Sequence, residues 1–94
     1  MEKIYMDYSA TTPVDAQVVE LMFKYYTQSF GNPSSIHSFG GEVRKAIEGA
    51  RKQVADLIGA NASEITFTSG GTESDNLAIQ GAARAKAKQG KHLI

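Results

Sequence analysis

Thr68-Ser69-Gly70-Gly71-Thr72-Glu73 gathers three hydroxyls, a glycine pair and a carboxylate into six consecutive residues. Such a set is suited to holding an oxyanion. If the segment joins a strand to the first turn of a helix, free backbone N–H groups and the positive end of the helix dipole converge on one small volume. The glycine pair would let the backbone approach a ligand closely and take left-handed angles, and a threonine hydroxyl in the first turn can donate one more hydrogen bond to a phosphate oxygen. The alternative is a tight strand-to-helix turn capped by Ser69 or Thr72, with no ligand at all. Local pattern does not decide between the two. Neither the G-x-x-x-x-G-K-[ST] loop nor G-x-G-x-x-G occurs, so the phosphate implied is not that of the common nucleotide motifs.

The elements that must position this segment follow from the flanking residues. Ile65-Thr66-Phe67-Thr68 is short, β-branched and aromatic, which predicts a strand. A helix is predicted from Glu73 through Leu77, Ala78, Ala82 and Ala85 toward Gln89, with Gly90 as its C-terminal cap. Lys91-His92-Leu93-Ile94 then begins a second strand, making a strand–helix–strand unit with parallel strands. A sheet of one short strand and the start of another leaves open edges, so the sequence is expected to be a fragment of a larger domain.

Upstream, Ile4 to Met6 suits an extended arm, and residues 7–12 form a small polar loop. Thr12 is placed as an N-cap, Pro13 at the first helical position and Asp15 in the first turn. Val14, Val18, Leu21, Met22 and Tyr25 supply one apolar stripe, with the helix ending near Phe30. Residues 31–41 concentrate Gly, Pro, Ser and Asn and predict an irregular loop. From about Glu42 a second helix buries Val43, Ile47, Ala50, Val54, Leu57 and Ile58, and Gly59 stops it.

The chain has 94 residues, with ten Lys plus Arg balanced by ten Asp plus Glu. Zero formal net charge argues against a nucleic-acid partner, which needs clustered cationic side chains. No run of apolar residues is long enough to span a bilayer, and the first residues carry no secretory or transit pattern, so a cytoplasmic location is expected. There is no cysteine, which removes disulfides, thiolate ligands and a cysteine nucleophile, and two isolated histidines make a poor metal site. A chain of this size buries only about 60–65% of the surface its unfolded form exposes, so its core should be thin.

Three motifs now stand in order: Tyr5-Met6-Asp7-Tyr8-Ser9-Ala10-Thr11-Thr12-Pro13, Gly31-Asn32-Pro33-Ser34-Ser35-Ile36-His37, and Thr68-Ser69-Gly70-Gly71-Thr72-Glu73-Ser74-Asp75-Asn76. Together they closely resemble cysteine desulfurases of the nitrogen-fixation and iron–sulfur-cluster type, over essentially the whole chain. The resemblance implies an α/β fold, the amino-terminal part of a fold-type-I pyridoxal-phosphate transferase of the class V aminotransferase group. Residues 1–62 would be an amino-terminal arm with helices, and residues 63–94 the first strand–helix–strand unit of the cofactor-binding large domain. It implies a homodimer that converts L-cysteine to L-alanine and an enzyme-bound persulfide, whose sulfur passes to an acceptor or cluster-scaffold protein. Gly71 and Thr72 match the family's phosphate-binding pair, so pyridoxal 5'-phosphate is the expected cofactor. Residues 10–12 and 31–37 resemble stretches near the family's active-site entrance.

Such an enzyme also needs a Schiff-base lysine, an imidazole over the pyridine ring, an aspartate at the pyridine nitrogen and a cysteine nucleophile. None of the seven lysines, Lys3, Lys24, Lys45, Lys52, Lys86, Lys88 and Lys91, lies in the family's lysine motif, and cysteine is absent. His92 precedes the place of the stacking histidine, Asp7 and Asp75 read as turn or helix-start residues, and His37 reads as a loop-shaping residue. These 94 residues alone are therefore expected not to desulfurate cysteine. Two other readings stand beside this one: a piece of another class V enzyme such as a selenocysteine lyase, and a non-catalytic binding module. The Gly-Asn-Pro-Ser-Ser-Ile-His loop favours the desulfurase.

Overall fold

The structure, a computed structural model, describes residues 1–93. Its regular elements are helices α1 (Ala16–Thr27), α2 (Ser38–Ile58) and α3 (Gly71–Lys86), with a short 3-10 turn at Ala62–Glu64. The chain divides into two compact units, Met1–Gln53 and Val54 onward.

In the first unit the arm turns around Asp7. Its carbonyl accepts the Ala10 amide at 3.0 Å and the Tyr5 hydroxyl at 2.9 Å. Tyr5 and Tyr8 meet edge to face at 5.3 Å. Helix α1 begins one turn later than Thr12 and Pro13 predict, because the Asp15 carboxylate accepts the Gln17 amide at 2.8 Å and takes the N-cap role. A carboxylate is the better acceptor for an orphan N–H beside the positive end of the dipole. The helix also stops short of Phe30, where the Gln28 and Ser29 amides both close on the Lys24 carbonyl.

Helix α2 starts earlier than Glu42. His37 caps it, its carbonyl accepting the Gly41 amide at 3.0 Å and its Nδ1 the Gly40 amide at a long 3.4 Å. The two glycines that read as loop therefore lie inside the helix. Of the predicted buried face, Val43 and Ile47 are half-buried, whereas Ala50, Val54, Leu57 and Ile58 are exposed, Leu57 at 85%. Among the described residues only Gly40 and Ala55 are buried. Large apolar side chains stand exposed on all three helices, among them Phe23, Tyr26, Phe39 and Ile79. The core is thinner than the chain length alone predicts.

In the second unit Gly59 ends α2 as expected. It adopts φ +69°, and the Ala60 amide reaches the Ala55 carbonyl at 2.9 Å, the 6→1 bond of a Schellman stop. Residues 65–68 form no ladder among the described residues, so the strand predicted there is not seen, although Ile65 has extended angles. A strand is defined by hydrogen bonds to a neighbour, so β-rich composition fixes an extended path and not a sheet. The second predicted strand, 91–94, shows no regular structure at 91–93, and Ile94 lies outside the described residues. Helix α3 opens two residues before Glu73 and its regular part ends at Lys86, short of Gln89. Turn bonds from Gln89 and Gly90 to the Lys86 carbonyl finish it.

Candidate functional site

The oxyanion-suited segment sits where the sequence placed it, at the head of α3. Gly70 is the N-cap residue, its carbonyl accepting the Ser74 amide at 3.1 Å, and Gly71 and Thr72 are the first two helical residues. The amides of Gly70, Gly71, Thr72 and Glu73 and the hydroxyl of Thr72 make no hydrogen bond among the described residues. Unpaired amides are usual in a first helical turn. What is particular here is how the flanks are tied.

On one side of the glycine pair, Glu73 reaches back over the N-cap. Its carboxylate accepts the Ser69 amide at 2.8 Å and also the Ser69 hydroxyl. A capping-box glutamate at this position would return to the amide of the N-cap itself. Glu73 passes over Gly70 and takes the residue before it. The hydroxyl bond first, then the amide bond, holds the Glu73 carboxyl below its usual range. On the other side, the Thr68 and Ser74 hydroxyls pair at 2.6 Å, and Thr68 contacts the Gly70 carbonyl at 3.1 Å. Residues 68–69 are thus tied to residues 73–74, with Gly70, Gly71 and Thr72 between them.

A Cβ placed on Gly70 or on Gly71 would meet nothing within 4 Å. Gly70 is extended, with φ 166° and ψ −178°, and neither glycine has the left-handed angles the sequence led us to expect. Four unbonded amides and one unbonded hydroxyl on exposed residues, at the positive end of a 16-residue helix, suit a phosphate group. No lysine, cysteine or imidazole is bonded to this turn among the described residues. The arrangement can bind and orient an anion.

The other residues singled out from sequence lie elsewhere. His37 is the cap of α2, as a loop-shaping residue would be. Asp7 holds its turn, its carboxylate accepting the Ser9 hydroxyl at 3.2 Å. Asp75 lies within α3, and His92 lies after it in irregular structure. No group of three or more His, Cys, Asp or Glu suited to a metal ion occurs among the described residues. The tie between Ser69 and Glu73 escaped the sequence reading, which used Glu73 only to open the helix. A serine four residues before a first-turn glutamate is the signal that could have found it.

The sequence model of the aminotransferase class-V family matches residues 4–94. The mitosomal cysteine desulfurase of Trachipleistophora hominis is 62% identical over 95 residues, covering 98% of this chain and 22% of that protein. The cysteine desulfurase IscS of Photorhabdus laumondii is 58% identical over 94 residues, covering 97% of this chain and 23% of that protein. A solved structure of a NifS-like protein superimposes with a TM-score of 0.86 at 41% identity, over 93% of this chain and 24% of that one. The chain spans about a quarter of the length of the curated relatives it matches.

Proposed function

The chain belongs to the aminotransferase class-V family, and from that premise we propose that it is the amino-terminal part of a pyridoxal-phosphate-dependent cysteine desulfurase. The observation that carries the proposal is the tied turn at the head of α3, with free amides at Gly71 and Thr72 and a free Thr72 hydroxyl. In this reading those groups hold the cofactor's phosphate, and the helix dipole offsets part of its charge. Pyridoxal phosphate, when bound, supplies an electron sink for negative charge developing on the amino-acid substrate. The residues of this chain fix where that sink lies, through a rigid grip on its phosphate.

The whole protein converts L-cysteine to L-alanine and an enzyme-bound persulfide, and delivers the sulfur to an acceptor or cluster-scaffold protein. It works as a homodimer in the cytoplasm. Residues 1–62 form the arm and helices, and residues 63–94 belong to the cofactor-binding large domain. The relatives named cysteine desulfurase, at more than half identity over almost the whole chain, support this reading. No described helix is long and apolar enough to cross a membrane.

The test is sulfide and alanine release from L-cysteine, with pyridoxal phosphate added, by the full-length protein and by residues 1–94 alone. Release by the full-length protein and none by the 94 residues, which contain no cysteine, is the expected result. No release by the full-length protein would refute the desulfurase assignment, and release by the 94 residues would refute the division of labour.

A further inference from the structure

Glu73 is the one carboxylate in the first turn of α3. A negative charge there would ordinarily compete with a bound phosphate for the same amides, or repel it. Its bonds to the Ser69 amide and hydroxyl commit the carboxylate elsewhere. The Thr68–Ser74 hydroxyl pair ties the same two flanks a second time. Between the ties, Gly70, Gly71 and Thr72 have little freedom, although a Cβ on either glycine would touch nothing. The turn is therefore shaped by its flanks and not by packing against its centre.

We infer that Glu73 is a positioning residue for phosphate binding: by taking up Ser69 it fixes the turn with the Gly71 and Thr72 amides free. This rests on the cofactor reading above. Binding at a turn fixed beforehand loses less conformational freedom than binding at a slack one, so the effect falls on cofactor affinity.

Two conservative variants separate reach from charge. Glu73→Gln keeps a carbonyl acceptor of the same length and loses the charge, and Glu73→Asp keeps the charge and loses the reach. Pyridoxal phosphate is titrated into the full-length protein as wild type, as both variants and as Thr72→Val. Hydrogen exchange at the Ser69 amide is followed in the cofactor-free protein. Glu73→Asp should bind about tenfold more weakly and exchange Ser69 faster, and Glu73→Gln should stay within about threefold of wild type on both readouts. Wild-type affinity in Glu73→Asp, with Thr72→Val weakened, overturns this inference alone. So does a loss in Glu73→Gln equal to that in Glu73→Asp. Wild-type affinity in Thr72→Val removes the phosphate assignment and this inference with it.

Discussion

The loop before α2 and the turn before α3 both pair glycines with a polar stretch, yet they use glycine in opposite ways. At residues 31–41 the chain closes on itself. A Cβ on Gly31 would stand 2.4 Å from the Phe39 carbonyl oxygen, and one on Gly40 would stand 2.5 Å from that of Asn32. Arg44 clasps the loop from α2, its Nε at 2.8 Å from the Pro33 carbonyl and its Nη2 at 2.8 Å from that of Ser35. Asn32 turns the chain by accepting the Ser34 amide at 2.8 Å. At residues 68–74 the flanks are tied and the centre is left open, so the chain's own packing makes no demand on Gly70 or Gly71. A glycine required by the chain marks structure. A turn tied at its flanks, with exposed glycines whose amides the chain itself does not bond, is suited to a ligand.

The contrast is sharpest under alanine substitution. Gly40→Ala drives a methyl group into two backbone carbonyls, which are not free to move like a side-chain end, and should destabilise the full-length protein by about 3 kcal/mol in denaturant unfolding. Gly71→Ala places a methyl group in open space at a helical position and should change stability by less than about 1 kcal/mol. Its proposed phosphate contact is through the backbone N–H, so it should leave cofactor affinity nearly unchanged. Equal losses of stability in the two variants would erase the distinction between the regions.

Arg44→Ala comes next in size. It removes two hydrogen bonds from an exposed guanidinium and should lower stability by about 1–2 kcal/mol. Arg44→Lys should recover little of it, since a single ammonium does not span two carbonyls as a planar fork does. Recovery by lysine would mean that charge, and not the clasp, matters.

The smallest effect is a pH response at two glutamates, one in the turn before α3 and one in the 3-10 turn upstream of it. The Glu73 carboxyl is held below its ordinary 4.5 by the Ser69 hydroxyl and amide, and Glu64 is held below its own by the Asn61 amide and side chain. A depressed folded-state pKa stabilises above the unfolded value, and that contribution is lost as pH falls through the folded one. The Ser69 and Asn61 amide resonances should therefore shift with midpoints below about pH 4.5. Movement of either amide centred above that value would contradict the hydrogen bonding described.

How much of this was legible in the sequence depends on whether the deciding contact was local. Gly59 as the stop of α2 was legible, because a left-handed residue after an apolar helical run has one common use. The place of the Gly70–Gly71 turn at the head of α3 was legible because a glycine pair between two differently patterned segments marks a turn. Helix starts were not, because Asp15 outcompetes Thr12 and because His37 caps α2, a role that residue type does not advertise. The buried face of α2 was overcalled at Ala50, Val54, Leu57 and Ile58, since periodicity shows which residues share a face and not whether anything covers it. The grip of Arg44 on carbonyls nine and eleven residues away was not legible, because it depends on how the loop folds back.

The most direct test of the phosphate site is an equilibrium titration of pyridoxal phosphate into full-length protein with and without Thr72→Val. This exchange keeps the shape of the side chain and removes only the free hydroxyl. A dissociation constant raised about tenfold, with unfolding stability unchanged, is the expected result. An unchanged dissociation constant would contradict it and leave the turn at the head of α3 as structure alone.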